Sequence, residues 1–514
     1  MRETTATTLT GARALTGART LAGRPFRRPR PADAPRLGRR GLLWLAVYAV
    51  GLGASHFFVI APSFAYLGFE KVGPNPFVAL VLLPSYLLCA RRLPASWKRP
   101  STIVYWMLFM IVVAPIHVVP VFTTRLSTAV WLMVGSVAAA FWLLGLIYSL
   151  RLPTLPRLHL PARLYWPLFA LVWIGLVSVV VAYYGLQFRW VALSEIYEIR
   201  DTYRDSFEQV PRLARYAITW LGNVIAPIAI ARGLTTKRFA WTVFGVATEL
   251  FLVSITGFKQ MLFSSVLVAA VVILVRSTAV SRVGYRVAAI VGSGVFAVTA
   301  YDFFTGGWST SSVLIRRMVL TSAVNTKYHY EFFLHNPKGF LGYGLLSRWV
   351  EYPYELPPAF LIGQVYYGNP ETSANANIWA DAFANFGLVG VFGFTAVLGM
   401  VLFFFDAIAK GLPEGLAIAA MAQSAFSLSN TAMLTVFLTH GMLLAVLMVY
   451  LMPVGGATAT RRRQPLRPRV TPRSEPDATS QSAGQDAVGQ GAAGQGAAGH
   501  DAAGAAETGS ERQS

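Results

Sequence analysis

Runs of apolar residues close to 20 in length recur between residues 41 and 453, and this repetition constrains the fold more than any other feature of the chain. A run of that length crosses about 30 Å of hydrocarbon as a helix. A membrane barrel would instead show segments of about ten residues with alternating hydrophobicity. Only 13% of the residues are charged and 55% are hydrophobic, whereas soluble domains carry roughly a quarter charged residues. The sequence therefore predicts an all-α, polytopic integral membrane protein. Twelve spans are expected, at 41–62, 75–90, 101–121, 128–150, 164–185, 213–232, 239–256, 260–275, 287–304, 386–406, 414–432 and 436–453.

Basic residues in the short loops set the expected orientation. One set of alternate loops carries Arg91, Arg92, Lys98, Arg99, Arg151, Arg157, Arg163, Arg232, Lys237, Arg238, Arg276, Arg282, Arg286 and Lys410, and the opposite short loops carry only Lys71, Arg125 and Lys259. The asymmetry of 14 to 3 predicts that both termini are cytoplasmic. It also puts two longer segments, 186–212 and 305–385, on the extracytoplasmic face.

The net charge of +21 would suggest nucleic acid in a soluble protein, but its location points to the membrane. Residues 1–40 hold ten arginines against Glu3 and Asp33, and read as a disordered cytoplasmic tail near anionic lipid headgroups. They do not read as a cleaved signal, because the first span is full length. Residues 41–453 form the membrane domain. The Gly-, Ala- and Gln-rich stretch 454–514, with its near repeat GQGAAGQGAAG, reads as a second flexible cytoplasmic tail. A single cysteine, Cys89, excludes an intramolecular disulfide.

The longest interruption of the apolar pattern runs from Trp308 to Gly390, and most of the concentrated chemistry lies there. About 80 residues is long for a connector and suggests a site. Arg316 and Arg317 stand in an apolar stretch with no carboxylate three or four residues away. Guanidinium groups so placed need an anion, and they match phosphate oxygens with bidentate geometry. Lipid phosphates and a bound ligand both satisfy that need. In YHYEFFLHNP, Tyr328 and Tyr330 offer either stacking faces for sugar rings or ordinary packing, while Glu331 is titratable. In SANANIWADAFANFGLVG, Asn377, Asp381 and Asn385 recur at i, i+4 and i+8, so they share one polar face entering a membrane helix. Such a stripe lines a cavity or a helix contact, and three polar groups favour the cavity.

Two further pieces lie on the same expected face. In VALSEIYEIRDTYRDSFEQVPR, Tyr197, Arg200 and Arg204 share a helix face at i, i+3 and i+7. Arg204 has Asp201 and Glu208 within helical reach, so an ion-pair ladder explains it. Arg200 lacks such a neighbour, which leaves a tertiary salt bridge or a ligand as its partner. Lys259, in the turn TGFKQMLF, either snorkels to the interface or joins the other cations on a phosphate.

The sequence lacks a Gly-rich phosphate loop of the G-x-x-x-x-G-K-[ST] type, an H-E-x-x-H helix and a Cys/His cluster with zinc spacing. Neither a metal nor a nucleotide cofactor is expected. His56, His117 and His440 lie within spans and read as packed or hydrogen-bonded groups.

The pieces YEIRDTYR, TGFKQMLF, RRMVLTSAVNTKYHYEFFLHNP and NANIWADAFANFGLVG, in this order, resemble the Wzy-type O-antigen and oligosaccharide repeat-unit polymerases of bacterial membranes. The likeness covers residues 40–453 in layout and these four pieces in residue pattern. The twelve expected spans leave a large helical extracytoplasmic loop between spans 9 and 10, and the resemblance implies a many-helix enzyme of the bacterial inner membrane. It implies an enzyme that joins oligosaccharide repeat units carried on undecaprenyl pyrophosphate into a cell-surface polysaccharide. Membrane lipids and polysaccharide export or chain-length proteins would be its partners, and nucleic acid would not. Arg200, Lys259, Arg316 and Arg317 match basic positions suited to the donor pyrophosphate. Asn377, Asp381 and Asn385 match the amide and acid stretch.

Such a transfer needs neither metal nor nucleotide, because pyrophosphate is a good leaving group whose developing charge positioned cations can meet. A general base activates the acceptor hydroxyl, and Asp381 and Glu331 are the candidates. An O-antigen-ligase-like transferase follows the same logic. A lipid-phosphate-sugar glycosyltransferase would resemble its kin in an acidic pair in the first outer loop, where SFAYLGFEKVGPN has Glu70 alone. A transporter or flippase would place functional polar groups at mid-membrane and break its helices there.

Overall fold

Every apolar run of the sequence folds as helix, as it must where the surrounding hydrocarbon offers the backbone no hydrogen bonds. The structure, a computed structural model, describes residues 36–454 apart from 125, 157, 187–198, 200–202, 204, 205, 207 and 208. It is an all-α polytopic membrane protein. No strand occurs among the described residues beyond one isolated bridge between Arg36 and Pro94. Arg125 and Arg157, two of the residues behind the orientation argument, lie outside the described residues.

Ten helices among the described residues are long and apolar enough to cross a membrane. They are α1 (Arg39–Leu67), α3 (Thr102–Phe122), α4 (Thr128–Tyr148), α5 (Ala162–Tyr184), α6 (Arg212–Thr236), α7 (Phe239–Thr256), α8 (Lys259–Ser277), α9 (Val280–Thr305), α12 (Ile378–Ile408) and α14 (Met433–Leu451). The other two expected spans are α2 (Pro76–Ala90) and α13 (Glu414–Leu428), of 15 residues each. At 1.5 Å per residue each is about 22 Å long, less than the hydrocarbon thickness. Between α9 and α12 the long interruption forms α10 (309–335) and α11 (Pro358–Tyr367).

Helices α3 and α6 are enclosed almost wholly by protein, while α5 and α9 present most of their surface outward. α1 packs along α9, α6 along α7, α4 along α12, and α13 against both α3 and α8. One end of the bundle, here the loop face, gathers the residues from 305 to 377 and the turns near 68–75 and 123–127. At the opposite end Asp406 accepts hydrogen bonds from Ser101 N (2.9 Å) and Ser101 Oγ (2.7 Å), and Lys410 donates to the carbonyls of Leu152 and Pro153.

Four stretches among the described residues are π-helical: Ser55–Ile60, Phe109–Val113, Leu221–Ile225 and Ser312–Leu320. Three of them stop two residues before a proline, at Pro62, Pro115 and Pro227. A proline lacks the N–H for the carbonyl four residues back and its ring crowds that carbonyl, so the preceding turn widens. The fourth has no proline to explain it. It carries Arg316 and Arg317, consistent with the enrichment of π-helical turns at functional sites.

Candidate functional site on the loop face

Helix α10 is braced on the loop face by the first turn, which holds Gly68 and Glu70. Glu70, in the first turn on this face, sits 3.8 Å from Lys327 Nζ, and it accepts hydrogen bonds from Thr124 N (2.8 Å) and Thr124 Oγ1 (2.6 Å). Gly68 (φ +86°) lets the first turn close over the helix, since a Cβ there would stand 2.1 Å from Tyr328 Oη. Glu70 is thus committed to holding α10 in place.

The π-helical turn brings Arg316 and Arg317 to one cavity of about 360 Å³. Tyr66 of α1, Asn325 of α10, Tyr367 of α11 and Ser373 are among its other polar lining residues. Arg316 is only 8% exposed, and its Nε and Nη2 donate to Ser312 Oγ at 3.1 and 2.8 Å. The guanidinium lies 4.1 Å over the Phe64 ring. Burial, and then the adjacent Arg317 charge, lower the Arg316 pKa from the ordinary guanidinium value. Among the described residues neither arginine forms an ion pair. Arg317 is exposed. The wall is ordered by Tyr367, whose hydroxyl donates to Asn325 Oδ1 (2.8 Å), and by Asn325 Nδ2, which donates to the Asn375 carbonyl (3.2 Å). A buried cation, an accessible cation and neutral donors around one cavity can hold a doubly charged, oxygen-rich anion. The volume is near the lower end for ligand sites and suits a headgroup rather than a long glycan.

Asn377, Asp381 and Asn385 share one helix face, but they do not enter a membrane span. The φ/ψ angles of Phe386 (−139°, 15°) and Gly387 (59°, −144°) break α12 after Asn385. Residues 378–385 are therefore a separate buried helix on the loop face, and the apolar span begins at 388. Asn377 caps this short helix, accepting from Trp379 N (3.0 Å) and Ala380 N (3.1 Å), and its Nδ2 donates to Thr326 Oγ1 (2.7 Å). Asn385 Nδ2 donates to the Asp381 carbonyl (2.9 Å) and to Asp381 Oδ1 (3.1 Å), while its Oδ1 accepts from Leu341 N (2.8 Å). Gly339 N and Phe340 N donate to the carbonyls of Ala384 and Asn385, which satisfies two of the carbonyls left open at the end of the short helix. Both asparagines serve a helix contact, one of the two readings their spacing allowed. Asp381 Oδ1 also accepts from Tyr343 Oη (3.1 Å), and Oδ2 has no hydrogen-bond partner of good geometry among the described residues. None of the three lines the Arg316–Arg317 cavity.

Glu331 accepts from Ser127 Oγ at 3.1 Å. Fifteen residues separate it from Arg316, roughly 20 Å along the helix, so the structure does not bring it to the guanidinium. Tyr330 is fully buried, stacked on Phe383 (3.9 Å, 9°) and bonded to Ser136 Oγ at 2.8 Å. It offers no face to a sugar, which corrects the stacking role considered for it. Tyr328 is half-buried and stacks on Tyr366 at 4.2 Å.

Lys259 begins α8, half-buried, next to Phe258. Phe258 lines a second cavity of about 370 Å³ together with Arg212, Arg215 and Tyr216 at the start of α6. Arg200 and Arg204 lie outside the described residues. The sequence reading missed Arg212 and Arg215, whose spacing of three at the head of an apolar run was the available signal. It also missed Lys338, which donates to the Phe333 carbonyl and lies 4.5 Å over the Phe383 ring. Partial burial lowers the Lys338 pKa.

Comparisons with protein-family models, with curated proteins and with solved structures found no match to this chain.

Proposed function

We propose that the chain is a lipid-linked oligosaccharide polymerase. It joins undecaprenyl-pyrophosphate-linked repeat units into a cell-surface polysaccharide on the loop face, taken as the outer face of a bacterial inner membrane, with both termini cytoplasmic. The observation that carries this reading is the buried Arg316, with no carboxylate partner among the described residues, beside Arg317 on a cavity of headgroup size. Pyrophosphate supplies the missing negative charge, and the fixed guanidinium groups stabilise the charge that grows as the carrier departs. The sequence resemblance names the carrier. Asp381 is the better candidate for the base, since its Oδ2 has no hydrogen-bond partner of good geometry among the described residues and Glu331 stands far from the arginines along α10. Reaching it requires an acceptor that extends from the cavity along α10, or a movement of the short helix. Metal and nucleotide play no part in this reading.

Purified protein in lipid should elongate an undecaprenyl-pyrophosphate-linked oligosaccharide, releasing undecaprenyl pyrophosphate without added nucleotide sugar. In cells, deleting the gene should cause single lipid-linked repeat units to accumulate on the outer face. Long polymer retained on its carrier would identify a ligase instead. Repeat units trapped on the cytoplasmic face would identify a flippase, a reading that one observation favours: a carboxyl group, Glu249, buried at mid-span in α7.

A further inference from the structure

Glu249 is a carboxyl group in the middle of a membrane helix, with no ion-pair partner among the described residues. It lies ten residues from the start of α7 and seven from its end, about 15 and 10 Å along the axis. It is 0% exposed, and neither carboxyl oxygen forms an ion pair among the described residues. Ser264 of α8, 1% exposed, brings its hydroxyl within reach of the carboxyl group, at a geometry looser than an ordinary hydrogen bond. The π-helical turn Leu221–Ile225 of α6 faces the same point, and a methyl group on Gly222 would come within 3.5 Å of Glu249 Oε2. Helix α13 packs against α8 and against that turn. Elsewhere along α13, Gln423 Nε2, Ser424 Oγ and Ser427 Oγ are buried with no hydrogen-bond partner among the described residues.

The charged groups on the packed helices stand at the ends of the bundle, where they cannot neutralise this carboxylate. Arg232 of α6 lies 3.2 Å over Trp166 and 4.4 Å over Trp241. Arg276 ends α8 and Lys259 begins it, while Glu414 begins α13. An ionised carboxylate in such an interior is very costly unless a cation accompanies it. Ordinary packing would put an apolar side chain or a hydrogen-bonded amide here, and the chain instead supplies an acid with a serine hydroxyl beside it.

We propose that this cluster is an intramembrane site for a monovalent cation, a proton or a sodium ion, with Glu249 as its charged ligand and Ser264 beside it. Taking up the ion converts the buried carboxylate into a neutral pair. Releasing it leaves a charge that favours any arrangement of α6, α7 and α8 that admits water. The site is separate from the arginine cavity, and the inference does not depend on the polymerase reading.

The test uses dicyclohexylcarbodiimide, which modifies protonated carboxyl groups in apolar surroundings. The full chain is treated in lipid nanodiscs between pH 5 and 9, and modified peptides are mapped by mass spectrometry. Glu249 should be modified at low pH and at least tenfold less at high pH. If sodium chloride protects it relative to choline chloride, sodium is the ligand; pH dependence alone identifies the proton. Thermal unfolding of wild type and Glu249→Gln supplies a readout that does not need the reagent to reach the site. Glutamine keeps the size and removes the charge, so the variant should stay folded and lose the part of the Tm response to pH or sodium that belongs to this site. If Glu249 stays unmodified throughout and both proteins respond identically to pH and sodium, the carboxyl is a permanently neutral packing group and the proposal fails.

Discussion

Arg316 is the residue on which the anion reading turns, because its charge is held in place by contacts that do not neutralise it. Ser312 Oγ fixes the guanidinium edge and Phe64 covers one face, so the geometry is preset for an incoming anion. Arg316→Ala should reduce polymer formation by about a hundredfold, the scale of losing one fixed donor from a charge-stabilising site. Arg316→Lys should recover only part of it, since an ammonium group cannot make the bidentate contact. Normal polymer in Arg316→Ala, at normal protein levels, would remove the pyrophosphate site. His329 gives a separate prediction for stability. It is buried on α10, and Nδ1–H donates to the Asn325 carbonyl at 2.8 Å, leaving Nε2 without a partner among the described residues. Burial lowers its pKa from 6.5 to about 4. The unfolded chain therefore binds this proton more readily, and the contribution of His329 to stability is complete above pH 6.5 and is lost as pH falls towards 4. The Tm of the wild type should fall across that interval, and His329→Gln should flatten the slope.

Among the elements, α12 departs most from what its sequence suggests. Its hydropathy and the i, i+4, i+8 spacing of Asn377, Asp381 and Asn385 read as one continuous helix with a polar stripe. The structure divides it at Phe386 and Gly387, because the 339–341 segment supplies N–H donors to the carbonyls of Ala384 and Asn385 and so ends the short helix inside the protein. Gly387, at φ 59° and ψ −144°, is in a region that a side chain disfavours. Gly387→Ala should lower stability by about 1–3 kcal/mol, read by thermal unfolding in lipid. A variant as stable as wild type would mean that the break is not held in this conformation. The π-helical turns divide along the same line. Those before Pro62, Pro115 and Pro227 are legible from the prolines. The turn holding Arg316 and Arg317 is legible only from its bonds, among them Thr321 Oγ1 donating to the Arg316 carbonyl five residues back (2.8 Å).

For the whole molecule, the basic-residue asymmetry predicts that the loops near Arg91, Arg238 and Arg282 share the side of the termini, while residue 350 lies across the membrane. Single-cysteine labelling in intact cells checks this, with Cys89 replaced, and a cytoplasmic residue 350 would displace the proposed chemistry from the outer face. What the sequence by itself determined was the solvent and the class of fold: apolar runs of span length leave the helix as the conformation that satisfies its own backbone, whatever the neighbours are. It also marked Arg316 and Arg317, since the lack of a carboxylate within helical reach is a local property. It could not decide which polar groups meet. Asn377 becomes a helix cap bonded to Thr326, Tyr330 becomes packing between Ser136 and Phe383, and Glu331 turns to Ser127. Glu249 gathers Ser264 and Gly222 from two other helices. These meetings join residues far apart in the chain, so periodicity within one helix carries no record of them. They were decided by which helices pack together and by the need to satisfy each buried polar group there.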